Sequence, residues 1–205
     1  MANSFSKDFA FNQQLWQFYS ANRGKIRSRY NDLTKKFLAY NDCEENPKAF
    51  LRKPQFEALE MYVFVKEFMN NKQVYEMFDD WRNKRGDFSD ASYYAIDKSG
   101  QISIYEAPTE QQTDALFKQM KKYKESYPNY IYALTMGLGK TILMATCIFY
   151  EFLLAKKYPK DKRFCHNALV FAPDKTVLQS LREIMTFDKT LVVPPEYARV
   201  LDSNI

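Results

Sequence analysis

The feature that most constrains this chain is a glycine turn between an apolar segment and a long helical pattern. Residues 130–134 form a short apolar run, Gly137 and Gly139 follow within five positions, and residues 140–157 then continue with helical spacing. A buried strand that leads through a glycine turn into a helix is the opening unit of a parallel sheet. The sequence therefore predicts a strand at 130–134 and a helix at 140–157.

The same alternation continues after the long helix. Residues 168–172 are a second apolar run, which stops at Pro173, and residues 176–185 again have helical spacing. Strand–helix–strand–helix is typical of a parallel α/β sheet. The sequence thus predicts an α/β fold in which residues 130–205 supply the first strands of such a sheet and do not complete it.

The part of the chain before residue 130 has a different pattern. Apolar residues spaced three or four apart predict helices over residues 7–40, from after Pro54 to residue 69, and over 73–84 and 110–123. Two short β-rich runs flank Lys98-Ser99-Gly100 and predict a hairpin over 93–105. We therefore divide the chain into a basic helical segment, 1–45, a helical part with an insertion, 46–129, and the predicted α/β segment, 130–205.

The charge of the chain is unevenly distributed. Thirty Lys and Arg residues against 25 Asp and Glu give a net charge of +5. Residues 1–40 hold seven basic and two acidic residues, so this segment carries the whole excess. Such a segment could contact a phosphate backbone. A solvated helix face is the more usual explanation of a charge run.

Several classes of protein are excluded or disfavoured. The longest apolar run, residues 141–150, is shorter than the roughly 18 residues that a membrane span needs, and the N-terminus lacks a signal-peptide pattern. Three widely spaced cysteines predict reduced thiols, and the single histidine provides no Cys/His zinc set. We expect a cytoplasmic protein without membrane contact.

The glycine turn has the chemistry of a phosphate-binding loop. Glycines let the backbone approach an anion closely, and the start of the next helix offers unpaired N–H groups and the positive end of its dipole. The lysine would reach the β- and γ-phosphates of a nucleotide, and the threonine hydroxyl would bind Mg²⁺. The strict form of this loop has a glycine where this chain has Leu134. The residues predicted to hold the nucleotide are Met136, Gly137, Leu138, Gly139, Lys140 and Thr141, with Thr141 as the metal ligand.

This x-x-G-x-G-K-T loop resembles motif I of the superfamily 2 helicases and translocases. Residues 50–59, FLRKPQFEAL, resemble the Q motif of that family. The resemblance implies that the Gln55 amide reads the edge of adenine and that Arg52 lies against the ring. Residues 168–178, ALVFAPDKTVL, resemble motif Ia, which contacts the backbone of a bound strand. The residues that match this turn are Pro173, Asp174, Lys175 and Thr176.

The similarity is closest to the helicase (Res) subunits of type III restriction enzymes. It implies a RecA-like P-loop sheet, with ATP and Mg²⁺ as cofactors. It also implies DNA as a partner, held by its backbone with little sequence specificity, and other subunits of a restriction or defence complex as possible partners. The resemblance covers residues 50–60 and 130–180 and leaves residues 61–129 as an insertion.

Two other functions remain open from the sequence. The chain could be a non-catalytic module in which the basic residues of 1–40 grip nucleic acid or a partner subunit and the glycine turn is vestigial. It could also be a small P-loop kinase, although Leu134 breaks the strict loop and we find no lid arginines or acceptor site.

ATP hydrolysis is not expected from this chain. Phosphoryl transfer to water needs carboxylates that hold Mg²⁺ and position the water, and an arginine that meets the developing charge. No apolar strand that ends in Asp-Glu follows Lys140, so we expect the N-terminal piece of a larger ATP hydrolase.

A phosphate-release assay tests this expectation. We expect the chain to bind nucleotide without hydrolysing it. Turnover that is lost on Lys140→Ala would contradict this prediction.

Overall fold

The structure is a computed structural model, and it describes residues 11–91, 95–96, 102–103, 109–135, 137–171 and 175–201. Most of the regular structure in this part is helical. The α-helices here are α1 (Phe11–Ser28), α2 (Asp32–Asn41), α3 (Lys53–Val63), α4 (Val74–Arg82), α5 (Glu110–Lys122), α6 (Lys140–Lys157), α7 (Lys175–Thr186) and α8 (Pro195–Leu201). A π-helical turn covers Phe64–Phe68, and 3₁₀ turns cover Gly86–Phe88 and Lys189–Leu191.

The predicted α/β fold with its parallel sheet is wrong. Across the described ranges, the strand pairing is one short antiparallel ladder between β1 (Ala95–Ile96) and β2 (Ile102–Ser103). Residues 130–135 and 167–171 have no regular structure. Apolar content alone does not make a strand, because the N–H and C=O groups of a strand need a paired neighbour. Nor are these segments buried as predicted, since Ile131 is 95% exposed and Phe171 is 80% exposed.

Most of the predicted helices are present in the structure. α6 runs from Lys140 to Lys157, as its spacing predicts, and α3, α4, α5 and α7 lie within a few residues of their predicted positions. The single helix predicted over 7–40 is instead two helices. Asn31 begins the second, because its side-chain oxygen accepts a hydrogen bond from the Thr34 N–H at 3.1 Å. The β1–β2 ladder falls within the hairpin predicted over 93–105, whose Lys98-Ser99-Gly100 tip lies outside the described residues.

The chain divides into two compact units. Unit 1 comprises Met1–Ile26 and Asn71–Tyr130, and unit 2 comprises Arg27–Asn70 and Ile131–Ile205. Each unit is therefore built from two separate stretches of sequence, whereas the sequence analysis treats 1–45, 46–129 and 130–205 as consecutive segments.

Aromatic rings form the core of unit 1. The ring of Phe11 meets those of Phe78 and Trp81 edge-on, at centroid distances of 5.2 Å and 5.8 Å, and Phe18 lies 4.7 Å from Phe88. Edge-to-face pairs of this kind are favourable beyond the apolar area that they bury. They hold α1 against α4 and the following 3₁₀ turn.

Helix α5 packs against α4 in the same unit. The Arg82 guanidinium of α4 pairs with the Asp114 carboxylate of α5 and lies 4.4 Å from the centre of the Phe117 ring. The ring of Tyr75 lies 6.3 Å from that of Phe117. An ion pair, a cation–π contact and a ring–ring contact thus join the two helices.

Helix α6 is the centre of unit 2. It packs against α3, α7 and α8, and its buried residues include Leu143, Phe149, Tyr150, Leu153 and Leu154. A helix that is apolar on several faces is stable only inside a core. The other helices of this unit cover it.

Part of the basic excess of residues 1–40 is neutralised inside unit 2. The Arg27 guanidinium lies 3.1 Å from Asp42, 3.0 Å from Glu45 and 3.7 Å from Glu60. Asp42 and Glu60 are buried carboxylates, and buried charges need a partner of opposite sign. This residue therefore has a structural role, although DNA binding by the whole segment stays a prediction.

A buried ion pair joins the π-helical turn to α6. Lys66 Nζ lies 3.1 Å from Glu151 Oε1, and both side chains are buried. The Tyr62 hydroxyl and the Cys165 N–H also donate to this carboxylate, the latter at 2.9 Å.

The Glu151 charge affects the pKa values of its neighbours. Burial is the main cause that raises the pKa of the Cys147 thiol to about 12, and the Glu151 charge is the second. The same two causes raise the pKa of Tyr62.

A second carboxylate, Glu67 on the π-helical turn, also has its hydrogen bonds satisfied within unit 2. Glu67 accepts hydrogen bonds from the hydroxyls of Thr34 and Tyr150, and from Asn31 Nδ2 at 2.9 Å. Burial raises the pKa of Tyr150, and the neighbouring Glu67 charge raises it further. Three donors around one carboxylate compensate for the water it has lost.

The buried pair leads to a stability prediction. Lys66→Met leaves the Glu151 charge buried without its cation, so we expect it to lower the free energy of unfolding by about 3–5 kcal/mol. The matched control is Lys53→Met, which breaks an exposed pair with Glu44 and should cost less than about 1 kcal/mol. Urea unfolding measures both, and equal costs would contradict the assignment.

Candidate nucleotide-binding site

The predicted phosphate loop is a left-handed glycine turn at the start of α6. Gly137 has a φ of +78° and Gly139 a φ of +64°, values that residues with side chains rarely adopt. The Leu138 N–H donates to the Thr135 carbonyl at 3.4 Å and closes the turn. The N-cap position of α6 is Gly139, which has no side chain to cap the first N–H groups. The first turn of α6 therefore presents uncapped donors beside a glycine bend, as a phosphate site requires.

Lys140 lies across this turn. Its side chain is exposed, and Nζ donates to the Thr135 carbonyl at 3.0 Å. The amine thus already sits against the backbone of the loop. A phosphate oxygen would replace a neutral carbonyl by a charged acceptor, which forms a stronger bond with an ammonium group.

Gln55 contacts the glycine turn directly, although 84 residues separate it from Gly139. Its Nε2 donates to the Gly139 carbonyl at 3.2 Å, and its Oε1 accepts from the Arg52 N–H at 2.8 Å. The second bond caps α3, whose first turn also contains Pro54. The fold thereby brings together two segments that are far apart in the sequence and that both carry the family resemblance.

The position of Gln55 also explains the glycine at 139. A Cβ atom there would lie 2.7 Å from Gln55 Nε2 and 3.2 Å from Ile142 Cδ1. A Cβ atom at Gly137 would meet nothing within 4 Å. Gly139 is therefore required by both its backbone angle and its neighbour, and Gly137 by its angle alone.

The capacity of Gln55 for further bonding is restricted. The amide retains one N–H and one oxygen lone pair beyond the two bonds described. The residue is only 3% exposed. Contact with an adenine edge would thus need the amide to become more accessible than it is here. Arg52, in contrast, is exposed.

The remaining predicted site residues are placed less completely. Met136, Pro173 and Asp174 lie outside the described residues. Lys175 and Thr176 begin α7, and the structure describes their backbone only. Leu138 and Thr141 are half-buried in the turn and in the first turn of α6.

A separate cavity of about 320 Å³ lies in unit 2, lined by Arg29, Glu67 and Arg163 among others. Arg163 donates to Asp161 at 2.7 Å and to Asn70 Oδ1 at 3.0 Å. The bond from the guanidinium lowers the pKa of the Asp161 carboxyl. No predicted site residue that the structure describes lines this cavity, so it is distinct from the glycine turn.

The polar residues that join the helices of unit 2 were not predicted from the sequence. Glu67 lies at the end of an apolar helical pattern, and Glu151 follows the longest apolar run of the chain. A charged residue that interrupts an apolar pattern was the available signal, because such a charge needs a buried partner. The sequence did not reveal which partner each carboxylate has.

Comparison with protein-family models, with curated proteins and with solved structures found no match to this chain. No described helix is long and apolar enough to cross a bilayer. Among the residues that the structure describes, no three His, Cys, Asp or Glu side chains are grouped so that they could hold a metal ion.

The contact between Gln55 and the glycine turn can be tested by mutation. Gly139→Ala adds a Cβ at a left-handed φ and against Gln55, whereas Gly137→Ala adds it at a similar φ in open space. The left-handed angle costs about 1–2 kcal/mol at either position, so Gly139→Ala should be the more destabilising.

A double-mutant cycle isolates the neighbour. In a Gln55→Ala background the excess cost of Gly139→Ala should fall by roughly 0.5 kcal/mol or more, because the clashing amide is gone. Urea unfolding of the four proteins measures this coupling. Costs that simply add would contradict the contact.

Proposed function

We propose that this chain binds ATP through the glycine turn, as the nucleotide-binding part of a DNA helicase or translocase. The single observation that carries the proposal is the hydrogen bond from Gln55 Nε2 to the Gly139 carbonyl. Two motifs of one nucleotide-binding pattern lie far apart in the sequence, and contact between them is unexpected if both are accidental.

The residues of the loop fit the phosphates of a nucleotide. The uncapped N–H groups of α6 and the bend at Gly137 and Gly139 suit an anion. Lys140 would move its amine from the Thr135 carbonyl to a phosphate oxygen. When bound, Mg²⁺ would add positive charge at the phosphates, and Thr141 is the residue assigned to hold it.

Gln55 has two roles in this proposal. It fixes the carbonyl of Gly139 and thereby the left-handed backbone of the loop. Its role in reading adenine rests on the resemblance to the Q motif, as does the placement of Arg52. DNA contact through residues 173–176, and association with other subunits of a restriction or defence complex, also rest on the resemblance.

One observation favours the alternative of a non-catalytic module with a vestigial loop. The Lys140 ammonium already donates one hydrogen bond within the loop, to the Thr135 carbonyl. A loop that holds its own lysine can be stable without a nucleotide. The two functions differ in whether nucleotide stabilises the fold.

Nucleotide binding should raise the thermal stability of the protein. At a concentration of Mg-ATP about 100 times its Kd, linkage predicts roughly 2.7 kcal/mol of stabilisation. Lys140→Ala should abolish this effect, whereas Lys160→Ala, which removes an exposed lysine elsewhere in unit 2, should leave it unchanged.

The measurement is a thermal unfolding series with increasing Mg-ATP, repeated with GTP. If Gln55 reads adenine, Gln55→Ala should reduce the preference for ATP over GTP. The absence of stabilisation at saturating Mg-ATP would refute the proposal and support the non-catalytic module.

A further inference from the structure

A group of exposed lysines and tyrosines occupies the end of α5 and the segment after it, in unit 1. We call it the α5 patch; it consists of Lys118, Lys121, Lys122, Tyr123, Lys124 and Tyr127. We propose that the α5 patch binds single-stranded nucleic acid. This site lies in the unit that does not hold the glycine turn, and the proposal does not depend on nucleotide binding.

Residues 118–127, which span the patch, contain four lysines and one acidic residue, Glu125. All four are exposed, and none forms an ion pair with a carboxylate in the part of the chain that the structure describes. Residues 115–124 contain no acidic residue. The nearest helical carboxylate, Asp114, is already paired with Arg82. The positive charge of the patch is therefore available to an outside partner.

Helix stability accounts for only part of this arrangement. Lys121 and Lys122 lie in the last turn of α5, where cations complement the helix dipole. Lys118 lies three and four positions before them, and like charges at that spacing repel. Lys124 follows the helix. A polyanion would remove the repulsion, whereas the protein alone leaves it in place.

The tyrosines supply a second, independent observation. Tyr123 is 68% exposed and Tyr127 is 60% exposed. The Lys122 ammonium lies 5.3 Å from the centre of the Tyr123 ring, and Lys124 lies 5.2 Å from that of Tyr75. Of these two rings Tyr75 is half-buried, whereas the exposed Tyr123 ring beside Lys122 offers a base a surface to stack on while its phosphate meets the charge.

The segment that carries the tyrosines is held at both ends. The Tyr123 N–H donates to the Gln119 carbonyl at 3.3 Å, and the Tyr130 hydroxyl donates to the Lys72 carbonyl at 3.0 Å. A segment fixed in this way loses less conformational entropy when a ligand binds. The segment that carries the exposed rings is thus anchored at both ends before the strand arrives.

A single strand fits the patch better than other polyanions. Bases in a duplex are already stacked on each other and cannot stack on a tyrosine. A membrane-binding helix needs an apolar face, but Leu116, Phe117 and Met120 are half-buried in the protein. An acidic peptide would meet the lysines but would gain little from the exposed rings.

The test is a fluorescence anisotropy titration of the full chain with a labelled thymidine oligonucleotide of about 16 nucleotides, without ATP. We expect affinity to fall steeply between about 50 and 200 mM salt. Lys118→Ala with Lys122→Ala should reduce the slope of log affinity against log salt by about 1.4, at about 0.7 for each lost phosphate contact.

The matched control is Lys160→Ala with Lys162→Ala, which removes the same charge from an exposed loop of unit 2. It should leave the slope unchanged. Equal losses in the two double variants would overturn the proposal, because binding would then follow net charge alone. Circular dichroism verifies that each variant keeps its helices.

Stacking is tested separately from charge. Tyr123→Ala should weaken binding at least about fivefold with no change in the salt slope, and Tyr123→Trp should preserve binding. Tighter binding of a duplex, or unchanged affinity in Tyr123→Ala, would overturn the single-strand assignment. Binding to phosphatidylserine vesicles or to polyglutamate, without binding to the oligonucleotide, would overturn the proposal as a whole.

Discussion

Helix α6 carries apolar side chains on several of its faces and cannot remain stable unless other elements cover them. In unit 2 this covering comes from α3, α7 and α8. The glycine turn is the N-terminal end of the same helix, so its position is fixed by the burial of the helix behind it. A loop attached to a well-packed helix keeps its geometry better than one between two mobile segments.

The polar contacts of unit 2 give this packing its specificity. Apolar surfaces attract one another without strict orientation, but a buried carboxylate must meet particular donors. Glu151 of α6 accepts hydrogen bonds from Tyr62 and the Cys165 N–H, and Glu67 accepts one from Tyr150 of α6 and others from Thr34 and Asn31. Gln55 acts similarly at the other end of α3, where one amide both caps that helix and holds Gly139. Such contacts select one arrangement of the helices over others of similar apolar area.

The sequence was sufficient for the local features of the fold and insufficient for its long-range pairing. α6 was predicted at both ends, because its glycine start and the proline after it are local signals. The strands at 130–134 and 168–172 were predicted from apolar content, but a strand also depends on a neighbour that local sequence does not specify. The expected α/β class failed for that reason.

In the candidate site, too, the local features were predictable from the sequence and the long-range contact was not. Each of its segments was recognised from a short local pattern, and their proximity was expected only through the resemblance to a known family. The contact between Gln55 and Gly139 depends on how α3 packs beside α6, which no local pattern contains. The exposed tyrosines of the α5 patch could not be told from core residues in the sequence, because helical spacing does not reveal which aromatic residues remain in water.

The π-helical turn Phe64–Phe68 limits the insertions and deletions that this part of the chain can tolerate. Its Met69 N–H bonds to the Phe64 carbonyl five residues back, so the turn holds one residue more than an α-helix would. Each residue of an α-helix advances the direction of the side chains by about 100°. Deleting one residue here would tighten the turn. It would rotate the Lys66 side chain away from Glu151 and the Glu67 side chain away from Tyr150. An insertion or deletion in this turn would therefore disturb the Lys66–Glu151 and Glu67–Tyr150 contacts together, whereas a substitution removes one side chain from one of them.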